Sequence, residues 1–214
     1  MIQNLATDNW ITILFVFLLA ILVILNFLFP IKFKAFLSFF KKEQFYVKYI
    51  KTFVVSDLFF LLFSFFSVLV YAFLLYKLVL YFNRSEQSNH FLFYLQIAAY
   101  TFWYVILRFI LGRIVQFLFD IKSFQDSLLL YKWLYLSKSA LLLFPFLVVF
   151  HYYNLNFYYV IIAVFFGIIL VYNYFVLILK NQKYIFKHLF YFILYLCTLE
   201  IAPLIVYLKI IFKV

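Results

Sequence analysis

Long apolar stretches, separated by shorter polar or basic ones, dominate the chain. A helix needs about 20 predominantly apolar residues to cross a bilayer, and six stretches approach or exceed that length. They predict crossings at approximately residues 10–29, 53–82, 91–111, 134–153, 157–179 and 189–212. Strands of a membrane barrel would alternate apolar and polar residues, whereas these stretches are apolar on every face. The pattern therefore predicts an all-α, polytopic membrane protein with about six transmembrane helices.

The composition supports the same class. Of 214 residues, 70% are hydrophobic and only 12% are charged, whereas soluble domains carry about a quarter charged residues. No linker divides the chain, so we expect a single transmembrane domain over residues 1–214, surrounded by the lipid bilayer. The net charge of +11 comes from basic residues between the apolar stretches, which favours membrane flanks over a surface that binds nucleic acid.

The connector after the first crossing, residues 31–51, is strongly basic. Six lysines alternate there with aromatic residues. A basic segment of this kind is typical of helices that lie in the membrane interface. An ordinary cytoplasmic loop fits the pattern equally well, and the sequence leaves both interpretations open.

Basic residues also indicate the orientation, because lysine and arginine accumulate in short cytoplasmic loops. The five connectors carry in turn six, one, four, none and three basic residues. This alternation predicts that the first, third and fifth connectors are cytoplasmic. With six crossings, both termini then lie outside.

Reporter fusions at each terminus test this topology. We expect both fusions to report the outer side of the membrane, because the lysine-rich connectors are predicted to be cytoplasmic and six crossings then place both termini outside. Either terminus in the cytoplasm would rule out the six-crossing arrangement.

Glu200 is the most unusual residue of the predicted crossings. It lies about eleven residues into the last one, which is near the middle of the bilayer at about 1.5 Å per residue. Pro203 follows and removes the backbone hydrogen bond to the carbonyl of Leu199. Cys197, the chain's single cysteine, lies three residues before Glu200 and so on the same helix face.

Two roles for this carboxyl group remain open. Without a partner, a buried carboxyl would hold a proton, which suits proton-coupled transport. Beside a cation it would stay charged and join two helices. Arg108 and Lys138 are the candidate cations, because both lie near the predicted cytoplasmic face.

Other polar residues in the predicted crossings favour packing roles. Asp57, Ser64, Ser67 and Tyr71 form a weakly polar stripe, and such residues commonly join helices in lipid. Lys77 lies near the outer end of its crossing and is expected to extend toward water. Single amides, such as Gln96 and Asn173, more often bond across helices than bind a ligand. The chain holds 35 phenylalanines and 20 tyrosines. This abundance reflects either the base composition of the genome or a functional site, such as an aromatic cage or a quinone site.

No catalytic or metal-binding motif is present in the sequence, and we expect no cofactor. The leading hypothesis is a non-enzymatic membrane subunit or accessory factor with a membrane-protein partner or a second copy of itself. A small transporter or channel that uses Glu200 is the second. A lipid-modifying enzyme is the third, with Asp120, Asp126 or His188 as its candidate residues.

The last predicted crossing contains the run Tyr195-Leu196-Cys197-Thr198-Leu199-Glu200, followed by Pro203. This run resembles the C-terminal signature of a domain-of-unknown-function family of integral membrane proteins from Bacteroidota. Other positions are also similar to this family, namely Arg108, Lys138 with Pro145, and the Phe-Pro end of the first crossing. The resemblance covers nearly the whole chain. It implies the inner membrane of a Gram-negative cell and no assigned activity.

Overall fold

The computed structural model describes residues 9–38, 58–83, 90–119, 122–153, 156–180 and 202–213. Among these residues only Phe29 and Tyr153 are not helical, and none is in a strand. The described helices are α1 (Asn9–Leu28), α2 (Pro30–Ser38), α3 (Leu58–Asn83), α4 (His90–Phe119), α5 (Lys122–Tyr152), α6 (Asn156–Lys180) and α7 (Ala202–Lys213). The all-α prediction is confirmed for these ranges.

Four of these helices are long and apolar enough to cross a membrane. The candidate spans among the described residues are Asn9–Leu28, Leu58–Phe82, His90–Ile110 and Trp133–Tyr152. A shorter apolar stretch, Phe157–Tyr172, lies in α6. The protein is therefore a helical membrane protein that meets lipid. The count of six crossings and the orientation stay predictions.

The chain divides into two compact units, residues 1–67 and 68–214. In the first unit, α1 buries one face, whose residues recur every three or four positions: Ile11, Phe15, Leu18, Ile21 and Leu25. Proline has no N–H to donate, yet the backbone remains close to helical around Pro30. The N–H of Phe29 donates to the carbonyl of Leu25 at 3.0 Å, and the N–H of Phe33 donates to the carbonyl of Phe29 at 2.9 Å. The first eight residues of the basic connector, through Ser38, are thus helical.

Aromatic rings fill the interior of the first unit. The Phe36 ring of α2 lies 4.6 Å from the Phe63 ring of α3, centroid to centroid. Phe29 meets Phe59 edge to face at 5.9 Å. Both geometries are typical of paired aromatic side chains. They fix the start of α3 against α2 within this unit.

In the second unit, α5 packs along α6, α4 packs on α5, and α7 packs on α4. The connection between α5 and α6 is short, and the N–H of Tyr153 donates to the carbonyl of Val149 where α5 ends.

Pro145 lies inside α5 on an exposed side. Its missing N–H removes the helical hydrogen bond to the carbonyl of Leu141, but α5 continues through it. The prediction of one domain over residues 1–214 stays a prediction.

Candidate functional site

Three of the six sequence-predicted site residues lie among the described residues. Arg108 is half-buried near the end of the third candidate span, and Lys138 is half-buried in the fourth. Pro203 is the second residue of α7 and is also half-buried. Asp57, Cys197 and Glu200 lie outside the described residues, so their predicted roles stay predictions.

A pair of tyrosines joins the helices of Arg108 and Pro203. The rings of Tyr104 on α4 and Tyr207 on α7 are stacked, with centroids 4.7 Å apart and planes inclined by 25°. The hydroxyl of Thr101, one turn away on α4, lies beside Tyr207. The contact fixes α7 on α4 within one turn of Arg108.

A polar contact crosses from the middle of the α3 span to a point about a third of the way into the α5 span. The hydroxyl oxygen of Tyr71 lies 2.5 Å from Oγ of Ser139 and 3.2 Å from the carbonyl oxygen of Leu136. The Ser139 hydroxyl lies 2.9 Å from the carbonyl oxygen of Tyr135. Each hydroxyl has one proton, so Ser139 can donate to Tyr135 while Tyr71 donates to Ser139. Both polar groups are then satisfied without water.

Lys138 lies next to this contact in the sequence. On its other side, Oγ of Ser137 is fully buried and has no hydrogen-bond partner among the described residues. The structure therefore places a cation and two serines in consecutive positions of α5, well inside the fourth candidate span. The sequence indicated Lys138 but not the interhelical contact beside it.

Lys77 lies among several aromatic rings of the second unit. Its Nζ lies 5.7 Å from the centroid of the Phe73 ring and 5.8 Å from that of Tyr76, both on α3. The Tyr159 ring of α6 is also 5.8 Å away. A cation within about 6 Å of a ring face is attracted by the negative charge density of the ring. Three rings thus stabilise one ammonium group, and we refer to Phe73, Tyr76 and Tyr159 as the Lys77 cage.

A second layer of side chains holds the cage in place. Tyr94 of α4 contacts Phe73 and Tyr76, with ring centroids 6.3 and 6.0 Å away. Its hydroxyl donates to the carbonyl of Leu69 at 3.4 Å. His151, near the end of α5, is buried and meets Phe73 edge to face at 6.3 Å. Four helices therefore converge on the Lys77 cage.

The cage lies close to one end of the second unit. Near it α3 and α5 end, and α4 and α6 begin. The exposed aromatic residues at these helix ends are Tyr81, Phe82, Phe91, Tyr152, Tyr153, Phe157 and Tyr158. Exposed aromatic side chains of this kind are typical of a membrane–water interface. The Lys77 cage is about one turn deeper than the exposed residue Tyr81.

The Lys77 side chain turns back along its own helix. Its ammonium group lies over Phe73, four residues toward the start of α3, because side chains in a helix tilt toward the N-terminus. The sequence predicted that the Lys77 side chain extends toward water, and it did not predict the contacts with the three rings of the cage. Among the described residues, no group of histidine, cysteine or acidic side chains could hold a metal ion.

A comparison of the sequence with protein families gives one clear result. A family model described as "Domain of unknown function (DUF4271)" matches residues 11–211, nearly the whole chain. The chain belongs to this family. No curated protein and no solved structure matches this DUF4271 protein. Membership of this family assigns no activity to the chain, because the function of the family is unknown.

Spacing alone could have suggested part of the cage in this DUF4271 protein. Phe73 and Tyr76 precede Lys77 by four and one residues, so two of the three rings could be predicted from their positions in the sequence. Tyr159 and Ser139 come from distant parts of the chain, and no local pattern indicates their partners.

The Lys77 cage predicts a specific response to ring removal. We expect Tyr159→Phe to keep the stability of the protein, because the ring stays. Tyr159→Leu should lower the free energy of unfolding by at least about 1–2 kcal/mol, since one cation–ring contact and the packing of a buried ring are lost. Unfolding by SDS titration of the purified protein measures both. Tyr158→Leu is the matched control, because the Tyr158 side chain is exposed, and equal losses for Tyr158→Leu and Tyr159→Leu would contradict the cage.

Proposed function

We propose that this DUF4271 protein is a non-enzymatic membrane subunit or accessory protein with six crossings and both termini outside. The observation that carries the proposal is that several hydroxyl groups within the spans are bonded to the protein's own groups. A transport pathway or an active site instead keeps polar groups available to a ligand. The family resemblance supports the inner membrane of a Gram-negative cell as its location.

The described contacts supply this observation. Tyr71 and Ser139 bond to each other and to backbone carbonyls, and Tyr94 donates to Leu69. The Thr101 hydroxyl lies 2.8 Å from the carbonyl oxygen of Ala98. Lys77 is surrounded by rings. Each contact joins helices or closes a turn, so the interior of the spans serves packing.

The Lys77 cage also supports the alternating topology. It brings the end of α3 and the start of α6 together, and Tyr94 adds the start of α4. Consecutive crossings that alternate in direction bring these ends to one side of the membrane. The basic residues are sparse in the two connectors on that side, at 84–89 and 153–155, which favours the outer side.

Glu200 and Arg108 form the proposed ion pair of the last helix. In the six-crossing topology α4 and α7 run in opposite directions, and Tyr104 lies opposite Tyr207. Arg108, four residues after Tyr104, is then level with Pro203. Glu200 precedes Pro203 by only three residues, which in the predicted last crossing is about 4.5 Å of helix rise, a gap that an arginine side chain spans. This register favours Arg108 over Lys138 as the partner.

A charge exchange tests the pair. Glu200→Arg and Arg108→Glu should each reduce accumulation in the membrane strongly, because each leaves like charges in lipid. The double variant should restore accumulation. The matched control exchanges Glu200 with Lys138, and we expect no restoration there. Restoration by the Lys138 exchange alone would show that the register argument is wrong.

Affinity purification of the tagged protein from native membranes tests the proposed function itself. We expect a membrane protein other than the bait to co-purify in a fixed ratio, and we expect vesicles of the purified protein to be impermeable to small solutes. A solute or proton flux that disappears in Glu200→Gln, while the protein stays intact, would favour the transporter instead.

A further inference from the structure

The outward face of α4 carries an amide well inside a candidate membrane span. Gln96 lies six residues after His90, where α4 begins, which is about 9 Å into the span at about 1.5 Å per residue. Its side chain is exposed, and no described residue forms a hydrogen bond with it. Hydrocarbon cannot satisfy an amide. A polar group from outside the described contacts must therefore cover Gln96.

Gln96 belongs to a regular row of residues along α4. Their spacing alternates between four and three, as in the contact row of two helices in a left-handed coiled coil. Five of the six are exposed, and Ile106 is half-buried. We call this row the α4 seam: Leu92, Gln96, Ala99, Trp103, Ile106 and Ile110.

The other side of α4 is already occupied. Tyr94, Ile97 and Thr101 are buried there, and Tyr104 stacks on Tyr207 of α7. The α4 seam is therefore the face that the described residues of the second unit leave uncovered. Its coiled-coil spacing suits a helix as the covering element.

The chemistry of the α4 seam favours a second copy of the chain as the covering helix. An amide carries both a donor and an acceptor, so Gln96 is electrostatically complementary to itself. Two copies in the same membrane orientation, related by a twofold axis along the membrane normal, bring equivalent residues together at equal depth. Ala99, three residues along the seam, is small enough for close helix approach. One polar residue in such a row also fixes the register and the number of helices.

We propose that two copies of the chain associate through the α4 seam, with the two Gln96 amides hydrogen-bonded across the dimer axis. The seam is a separate surface from any that the proposed function requires. A dimer without a co-purifying partner would leave this inference standing and remove the proposed function. A partner without a dimer would do the reverse.

Disulfide cross-linking in native membranes tests the seam. The background is Cys197→Ser, which removes the chain's single cysteine. We expect oxidation to convert Ala99→Cys to a species of twice the monomer mass. Val105→Cys is the matched control, because Val105 is exposed but lies six residues along α4, off the seam. It should stay monomeric under the same conditions.

Substitution of Gln96 tests the amide itself. Energy transfer between donor-labelled and acceptor-labelled copies in lipid vesicles measures the dimer. Gln96→Leu should raise the dissociation constant about threefold or more, on the basis of measured hydrogen bonds between helices in lipid. Gln96→Asn keeps the amide and should retain more of the affinity.

Three results would overturn the proposal. Equal cross-linking of Ala99→Cys and Val105→Cys would indicate random collision. A product of another mass, or no product, would mean that something other than a second copy covers the seam. Unchanged energy transfer in Gln96→Leu would show that the amide has no part in association.

Discussion

Every polar group inside a lipid bilayer needs a partner, because hydrocarbon offers no hydrogen bonds. This constraint accounts for the described interior of the second unit. Tyr71 and Ser139 bond to each other at 2.5 Å, and the Ser139 hydroxyl also reaches a backbone carbonyl. The contact joins α3 to α5 within their candidate spans. Exceptions include Ser137 and Tyr207, whose buried hydroxyl oxygens have no hydrogen-bond partner among the described residues.

A charge is harder to accommodate than a hydroxyl, and Lys77 illustrates one solution. Its ammonium group lies over the Phe73 ring, deeper in the helices than the exposed aromatic residues at their ends. Three ring faces stabilise the charge, and Tyr94 and His151 hold the Phe73 ring in place. The same rings join α3, α4, α5 and α6. The rings around this cation thus connect four helices.

The helices of this protein were largely predictable from the sequence, because a span of apolar residues in lipid has few alternatives to a helix. The connectors at Pro30 and at 84–89 were also visible as breaks in the apolar pattern. The long-range contacts were not. Ser139 and Tyr159 meet their partners only because α5 and α6 pack beside α3, and helix pairing in lipid leaves little trace in a single sequence. Lys138 and Arg108 were identified by their charge alone.

The central claim is that the polar contact between α3 and α5 lies in a dry, packed interior and does not line a water-filled path. Labelling of Ser139→Cys with a hydrophilic maleimide, in the Cys197→Ser background, tests it most directly. Tyr153→Cys, at an exposed turn, is the positive control. We expect Tyr153→Cys to be labelled in intact membranes and Ser139→Cys to react only after unfolding in SDS. Labelling of Ser139→Cys at a similar rate in intact membranes would show a hydrated pathway and contradict the claim.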